Sequence, residues 1–460
     1  QVINMLRQMI RPVGTTDVIV IGAGHAGLAA SYLLGRHGID HIVFERGDVA
    51  NSWRNERWDS LRLLTPNWQT RLPGFEYAGE EPDGFMSMPE VVEFIEEYAR
   101  CSGAPVQTHT TVQSVQKHFD EYCVVTNRGV WKAKAVIIAT GACNIASKPG
   151  VAADAPPGIT SLTPPEYRNP EQLEAGGVLI VGASATGLQL ADEIRRAGHE
   201  VTIATGEHVR MPRHYRGHDI QWWMHKAGVL NETWDEIDDV TRARNLPSPQ
   251  LVGQRDLPIL DLNHLRDNGV RVVGRLMGFQ DGNAQFSGSL RNVCALADLK
   301  MNRLLDAIDD WIDHNPVLCE APERFAATRV DEDPTLLMNL ERSNVRTIIW
   351  ATGFRPDYSW LDVPVLDRKG HLRHKGGIVD APGLYVLGLP MMRRRKSSFI
   401  HGIEDDVRDI TDHLARFLGV ESPHGEVEGL PCGPAAGRDV RHDPRCWSDS
   451  ADLARYHQQM

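Results

Sequence analysis

The chain has 460 residues, of which 42% are hydrophobic and 24% are charged. This composition is that of ordinary globular proteins and excludes a largely disordered, collagen-like or coiled-coil chain, and at roughly 100–200 residues per domain the length predicts two or three domains. The formal net charge of −12 disfavours nucleic-acid and anionic-membrane partners, because an acidic protein is repelled by phosphate groups.

The N-terminus predicts neither secretion nor membrane insertion. Residues 1–16 lack the cationic start, apolar run and cleavage site of a signal peptide. The apolar residues 18–35 are interrupted by glycines, so they do not predict a bilayer-spanning helix. We therefore expect a cytoplasmic protein. The seven cysteines form no C-x-x-C pair, so we expect buried structural thiols, and neither a metal site nor a dithiol redox centre.

Residues 17–45 predict a dinucleotide-binding unit. Its parts, in chain order, are a buried strand at 17–21, a G-x-G-x-x-G turn with Gly22, Gly24 and Gly27, a helix at 28–37, a strand at 41–44 and the acid Glu45. In such a unit the glycines let the backbone approach a pyrophosphate at the helix N-terminus, and the acid accepts hydrogen bonds from ribose hydroxyls. The alternative is a glycine-rich turn that only packs an α/β sheet.

A second unit of the same kind follows. It consists of a strand at 178–181, a turn with Gly182, Ser184 and Gly187, a helix to 196, and a strand at 200–204 that ends at Thr205. No acid closes this strand, and Arg210, Arg213 and Arg216 lie nearby, which favours NADPH over NADH because a 2′-phosphate needs cationic partners. Glu207 leaves NADH open, and the arginines could instead form a solvated surface.

Two strand ends share the sequence A-T-G. They cover residues 139–141 and 351–353 and close with Gly141 and Gly353. Small residues at a strand end allow the chain to pass close to a cofactor, although a tight structural crossing would have the same sequence. Their position after the two units favours a cofactor contact.

The proline-rich residues 149–170 predict a domain boundary. We expect an α/β protein with two Rossmann-like dinucleotide-binding domains, the first of them discontinuous. The expected divisions are 15–160 and 341–418 for the first domain, 161–340 for the second, and 419–460 for an irregular C-terminal tail. The strand at 345–350 and the helix at 403–418 are assigned to the returning part of the first domain.

Several further motifs together resemble a known family. They are T-G-F-R-P-D at 352–357, G-L-Y-V-L-G-L-P at 383–390, S-W-R at 52–54, D-S-L-R-L at 59–63 and F-M-S-M-P-E at 85–90. With the two glycine-rich turns they resemble the class B flavoprotein monooxygenases, which include the flavin-containing monooxygenases and their plant indole-pyruvate relatives. The resemblance covers roughly residues 15–418. It implies FAD at the first unit and NADPH at the second.

The resemblance also implies roles for individual residues. The first-unit glycines would contact the FAD pyrophosphate, and the second-unit turn would contact NADPH. Further FAD contacts would come from Glu45 at the ribose, Trp53 and Arg54 at the middle of the cofactor, the Val112 backbone at the adenine, and Arg46. Asp59 would lie near the flavin and Asn67 on the substrate side, although Asp59 could equally cap a turn.

One family signature is missing. When F-x-G-x-x-x-H-x-x-x-Y is aligned on Tyr167, Thr163 stands where the histidine belongs, which opposes a Baeyer–Villiger subtype. The expected function is oxygenation of a small molecule by molecular oxygen through a C4a-peroxyflavin. An NADPH:acceptor reductase, an oxidase and a non-catalytic flavin redox sensor remain alternatives, and a homodimer is left open. The basic run at 393–396 and His401 either contact a cofactor or acidic substrate, or belong to a solvated face.

Overall fold

The computed structural model describes residues 12–421, 429 and 430, and it has two main sheets. The first sheet runs in the order Leu361–Asp362, Val112–His118, Glu121–Thr126, Gly129–Ile138, Gly14–Ile21, His41–Phe44 and Val106–Gln107. Leu384–Val386 also pairs with Gly129–Ile138 and carries the hairpin of Ile378–Val379 and His374–Lys375. Its centre is parallel, and the pairings from 112 to 138 are antiparallel.

The second sheet is parallel throughout. Its order is Thr160–Leu162, Val345–Trp350, Gly177–Val181, Val201–Thr205 and Arg271–Gly274. The strand Val345–Trp350 therefore pairs inside the second sheet, which corrects its assignment to the first domain and moves the return to the first sheet beyond 353. Apolar strands buried on both faces look alike in sequence, so only the pairing decides which sheet they join.

The longer helices carry apolar faces at helical spacing, whereas Asn51–Asn55 and Val240–Arg244 bury no residue. The helices are His25–Arg36, Asn51–Asn55, Met88–Ser102, Ala185–Arg196, Ile220–Lys226, Val240–Arg244, Leu262–Asp267, Leu290–His314 and Ile403–Leu418. In Leu290–His314 the buried residues recur every three or four positions, as a helix with one core-facing stripe requires. Met88–Ser102 begins with a capping box of Ser87 and Glu90 and ends at Gly103, whose φ of 62° is left-handed.

Short elements complete the chain. The remaining strand pairs and triplet are Arg71–Leu72 with Phe75–Glu76, Ile145–Ala146 with Phe354–Arg355, Val209–Arg210 with Pro249–Gln250, His214–Tyr215 with His218–Asp219, and Leu276–Gln280 with Asn283–Phe286 and Leu337–Asn339. The 3-10 turns are Asn67–Gln69, Gly150–Asp154, Pro170–Gln172 and Val229–Asn231.

The described residues bear on the expectations for the cysteines and for the C-terminal tail. Among the free cysteines of the described residues, Cys294 is buried but Cys143 is exposed, so the expectation of buried thiols was wrong for the latter. The expected irregular tail falls almost wholly outside the described residues. No helix in the described part of the chain is both long and apolar enough to cross a membrane.

Candidate active site

The first glycine turn, residues 22–27, joins Gly14–Ile21 to the helix His25–Arg36. Gly22 has a φ of 106°, and a Cβ atom there would lie 2.4 Å from the carbonyl oxygen of Ala139. A Cβ on Gly27 would lie 1.9 Å from the carbonyl oxygen of Gly22. A Cβ on Gly24 would meet no protein atom within 4 Å. The outer two glycines are thus required by the fold, whereas Gly24 leaves room for a ligand.

The second glycine turn, residues 182–187, repeats this geometry. Gly182 has a φ of 107°, and its Cβ would lie 2.1 Å from the Ala351 carbonyl oxygen. A Cβ on Gly187 would lie 1.9 Å from the Gly182 carbonyl oxygen. Ser184 replaces Gly24 at the residue before the helix, with the same extended backbone. The middle position of the motif, which faces open space in the first turn, is therefore the one where the second turn carries a side chain, that of Ser184.

The A-T-G strand ends pack directly against these turns. The Ala139 and Ala351 carbonyl oxygens limit the space at the first glycine of the respective turn. Gly141 and Gly353 follow with φ values of 77° and 91°, and their Cβ atoms would meet nothing within 4 Å. The alanines are packing partners of the turns, and the glycines reverse the chain beside them.

Glu45 is buried beside the first glycine turn, with 7% of its surface exposed. Its Oε2 accepts a hydrogen bond from the Ala23 backbone at 2.9 Å, and its Oε1 accepts one from the Gly47 backbone at 2.9 Å. Each carboxylate oxygen has a second lone pair, so the side chain keeps acceptor capacity for a hydroxyl group.

Buried polar atoms without partners lie next to the first glycine turn, a pattern that fits a missing polar ligand. His25 Nε2 belongs to the turn itself, and Thr140 Oγ1 belongs to the strand end that packs on it. Burial lowers the pKa of His25 to about 4, so the ring is neutral at pH 7. The Trp53 ring lies 6.5 Å from the His25 ring, between centroids. Since buried polar groups in folded proteins are nearly always paired, a group such as FAD fits here.

The second glycine turn has the same signature. Gln250 is fully buried, donates from Nε2 to the Ala183 carbonyl at 2.7 Å, and leaves its Oε1 without a partner. Thr205 Oγ1 and His208 Nε2 are buried and unpaired as well. These atoms fit a second dinucleotide. Gln250 lies 67 residues from the turn in sequence, so no local motif could have identified it.

The arginines expected at a 2′-phosphate are engaged elsewhere, and Arg216 pairs with Asp309. Arg210 is 3% exposed and bonds Asp261, Asp298 and the Ala326 carbonyl. Arg213 is 1% exposed and pairs with Asp219 and backbone carbonyls. Because both guanidinium groups are buried in ion pairs, neither presents a free fork to a ligand, which opposes their expected role.

Arg275 is better placed for that role. It follows the strand Arg271–Gly274, its side-chain carbons lie 3.9 Å from a Cβ built on Gly206, and it is exposed. No side chain of the described residues bonds its guanidinium. Glu207, which left NADH open, forms an ion pair with Lys300 at 3.3 Å. Within the described residues, Arg275 without a side-chain partner and Glu207 paired with Lys300 thus lie close to the carboxyl end of Val201–Thr205.

A third group of unpaired buried atoms lies on residues 67–70. Asn67 Oδ1, Gln69 Oε1 and Thr70 Oγ1 have no partners. The Gln69 amide nitrogen lies 3.1 Å from Nε2 of His401, and the two residues are 332 positions apart. Burial, reinforced by Lys396, lowers the pKa of His401 well below its usual value, so the ring is neutral. Asn67, expected on the substrate side, is therefore buried two residues from Gln69, which contacts His401.

The basic run at 393–396 is neutralised within the protein. Arg393 pairs with Asp409, Arg394 with Asp406 and Asp409, Arg395 with Glu232, and Lys396 with Asp405. Most of these acids lie on the helix Ile403–Leu418. The run is therefore neither a solvated face nor a free anion site.

Four other predicted site residues have partners or positions of their own. Asp59 is exposed and accepts from Asn169 Nδ2 at 2.8 Å, which matches the alternative of a turn-stabilising acid. Arg46 pairs with Glu56 and Arg54 with Glu96, both near the surface. Val112 begins a strand of the first sheet and is half-buried.

Comparisons with known proteins agree with this arrangement. The sequence model of the pyridine nucleotide-disulphide oxidoreductases matches residues 19–226. A CzcO-like oxidoreductase of Geobacillus kaustophilus is 31% identical over 406 residues, which are 86% of this chain and 99% of that protein. An indole-3-pyruvate monooxygenase of Oryza sativa subsp. japonica is 28% identical over 229 residues, 46% of this chain and 54% of that protein.

A solved structure shows the same fold. The flavin-containing monooxygenase from Stenotrophomonas maltophilia superposes with a TM-score of 0.62 at 20% identity, covering 88% of this chain and 100% of that one. The resemblance to flavoprotein monooxygenases, first noted from the motifs, is thereby confirmed.

Proposed function

Because this chain belongs to the CzcO-like oxidoreductases and is related to the class B flavoprotein monooxygenases, we propose that it uses FAD and NADPH to oxygenate a small organic molecule. The observation that carries the proposal is the pair of glycine turns, each with buried unpaired polar atoms beside it. FAD supplies the electron transfer from NADPH to molecular oxygen, and the protein binds and orients the cofactors and keeps water from the site. The two sheets would then be two dinucleotide-binding domains.

At the first glycine turn the chain would hold FAD through its backbone. The gap at Gly24 admits a pyrophosphate to the N-terminus of His25–Arg36, where backbone N–H groups stabilise negative charge. Glu45 would accept from the ribose with its remaining lone pairs. Neutral His25 can donate or accept one hydrogen bond through its unpaired Nε2 without adding charge.

At the second glycine turn the chain would hold NADPH. Gln250, fixed by its bond to Ala183, offers its free oxygen as an acceptor. Arg275 would contact the 2′-phosphate, because it lies beside the end of Val201–Thr205 and no side chain of the described residues pairs with its guanidinium. Lys300 pairs with Glu207, the acid that would favour NADH, and partly offsets its charge.

The residues 67–70 and His401 would form the substrate side. A buried neutral imidazole stays uncharged while it relays a proton only if one ring nitrogen takes up a proton as the other releases one. Its hydrogen bond to Gln69 fixes the ring orientation. Exclusion of water is the property that separates oxygenation from peroxide release, since water and stray protons divert the reduced oxygen.

The test is a balance of NADPH, oxygen and peroxide with FAD-loaded protein. We expect that NADPH is consumed, that a member of a panel of small ketones, amines and sulfides gains one oxygen atom, and that peroxide falls below one equivalent per NADPH in its presence. One equivalent of peroxide across the whole panel would instead identify an oxidase, and NADPH consumption only with a non-oxygen acceptor would identify a reductase.

A second experiment compares NADPH with NADH as the coenzyme. Arg275→Ser should raise the KM for NADPH about tenfold or more and leave that for NADH nearly unchanged, since a charge-assisted hydrogen bond contributes about 1.5–3 kcal/mol. An unchanged preference would remove Arg275 from the 2′-phosphate site.

A further inference from the structure

A cavity of about 380 Å³ lies at the amino-terminal edge of the second sheet. The first residues of the strands Gly177–Val181, Val201–Thr205, Arg271–Gly274 and Val345–Trp350 contribute to its wall. The five-residue strand Gly177–Val181 spans about 16 Å at roughly 3.3 Å per residue. The cavity is therefore separated from the second glycine turn by the full length of the strands.

Three arginines and one carboxylate line this cavity. They are Arg195, Arg271, Arg342 and Glu200. Arg271 and Arg342 are exposed, and no backbone or side-chain atom of the described residues accepts a hydrogen bond from their guanidinium groups. Arg195 is anchored by the carbonyl oxygens of Asn268 at 2.9 Å and His199 at 3.1 Å. A local excess of positive charge thus faces one hollow in a chain whose net charge is −12.

We infer that this cavity binds a small polyanion that carries phosphate groups, at a site separate from both glycine turns. A guanidinium presents a planar fork of donors that matches phosphate oxygens, so unpaired arginines converging on one hollow select such a group. The volume lies within the range of small-ligand pockets. Ser343 adds a hydroxyl to the wall, and Glu200 limits the net charge that the ligand meets.

The strand Arg271–Gly274 offers a matched pair of test residues. Arg271 stands at its amino end in the cavity, and Arg275 follows its carboxyl end beside Gly206. Both are exposed, so replacement by serine should leave the fold intact. The probe is inorganic pyrophosphate, titrated calorimetrically into FAD-loaded protein at low ionic strength with saturating NADP⁺ to block the coenzyme site. Citrate is the carboxylate counterpart.

We expect one pyrophosphate site whose affinity falls about ten- to a hundredfold in the double variant Arg271→Ser, Arg342→Ser and is unchanged in Arg275→Ser. NADPH binding should show the reverse pattern, which separates this inference from the proposed function. An unchanged pyrophosphate affinity in the double variant, or no binding by the unmodified protein, would overturn the inference. Tighter binding of citrate than of pyrophosphate would overturn the assignment to phosphate.

Discussion

Single residues of one motif have different duties in this protein. Gly22 and Gly27 are held by contacts that a Cβ atom would break, while Gly24 touches no protein atom at the place where its Cβ would be. The motif rule gives the second glycine the approach to the pyrophosphate and the other two the turn and the helix packing. The difference arises because the first and third glycines face backbone and the second faces open space.

This difference predicts separable effects of two alanine substitutions. Gly24→Ala should leave the unfolding temperature of the FAD-free protein nearly unchanged and weaken FAD retention about tenfold, because the methyl group occupies space that the pyrophosphate needs. Gly27→Ala should lower the free energy of unfolding by about 1–3 kcal/mol, because its methyl group meets the Gly22 carbonyl.

Flavin absorbance after dilution and gel filtration measures the first effect, and thermal unfolding measures the second. Full flavin content in Gly24→Ala would show that the pyrophosphate binds elsewhere.

At the scale of elements, the last helix is fastened by the basic run that precedes it. Asp406 is fully buried on Ile403–Leu418, where it binds Arg394 at 2.6 Å and accepts from Ser397. Burial raises the pKa of Asp406, and the bonds to Ser397 and Arg394 oppose that shift. His401 lies between the basic run and this helix, so the same ion pairs also set the position of the proposed substrate side.

Removing one partner of this buried pair should be costly. We expect Asp406→Ala to lower the free energy of unfolding by about 3–5 kcal/mol, because Arg394 then loses one of its two carboxylates. The control is Asp412→Ala on the same helix, whose carboxylate is 50% exposed and pairs with His37. It should cost less than about 1 kcal/mol. Urea unfolding of both variants measures these changes, and equal losses of unfolding free energy would contradict the role given to Asp406.

At the scale of the whole molecule, several histidines are kept neutral by burial. The pKa is lowered to about 4 in His25, to about 3 in His225 and to about 4 in His374, in each case mainly by desolvation. Their positions in both halves of the chain make this a property of the fold and not of one site. Each of these side chains binds a proton more readily after unfolding.

Stability should therefore fall with acidification. Since the pKa values in the folded protein lie below the unfolded value of about 6.5, the unfolded chain holds more protons between pH 6.5 and 4. Each such histidine then lowers the free energy of unfolding by up to about 1.4 kcal/mol per pH unit across this window, and has no effect above it.

Urea unfolding at a series of pH values measures the slope. His374→Gln should make it shallower, whereas His118→Gln, at an exposed strand end, should not change it. A slope that is the same in His374→Gln as in the unmodified protein would contradict the contribution of that histidine.

The sequence by itself determined the local units of this protein. Alternating glycines after a short apolar strand predicted both turns, and the helix at 403–418 was predicted with the bounds that the structure has. These features depend on the periodicity and conformational freedom of neighbouring residues, which a sequence displays directly. The motifs also carried the family resemblance, because cofactor turns are built from contiguous residues.

Only the tertiary structure decided what distant segments do to each other. Strand pairing placed Val345–Trp350 in the second sheet, and folding buried the Arg210 guanidinium in ion pairs with Asp261 and Asp298. The contact of Gln69 with His401, across 332 positions, has no sequence signal at all. The residue type determines the charge and the hydrogen-bonding capacity of a side chain, but the fold determines which partner it contacts.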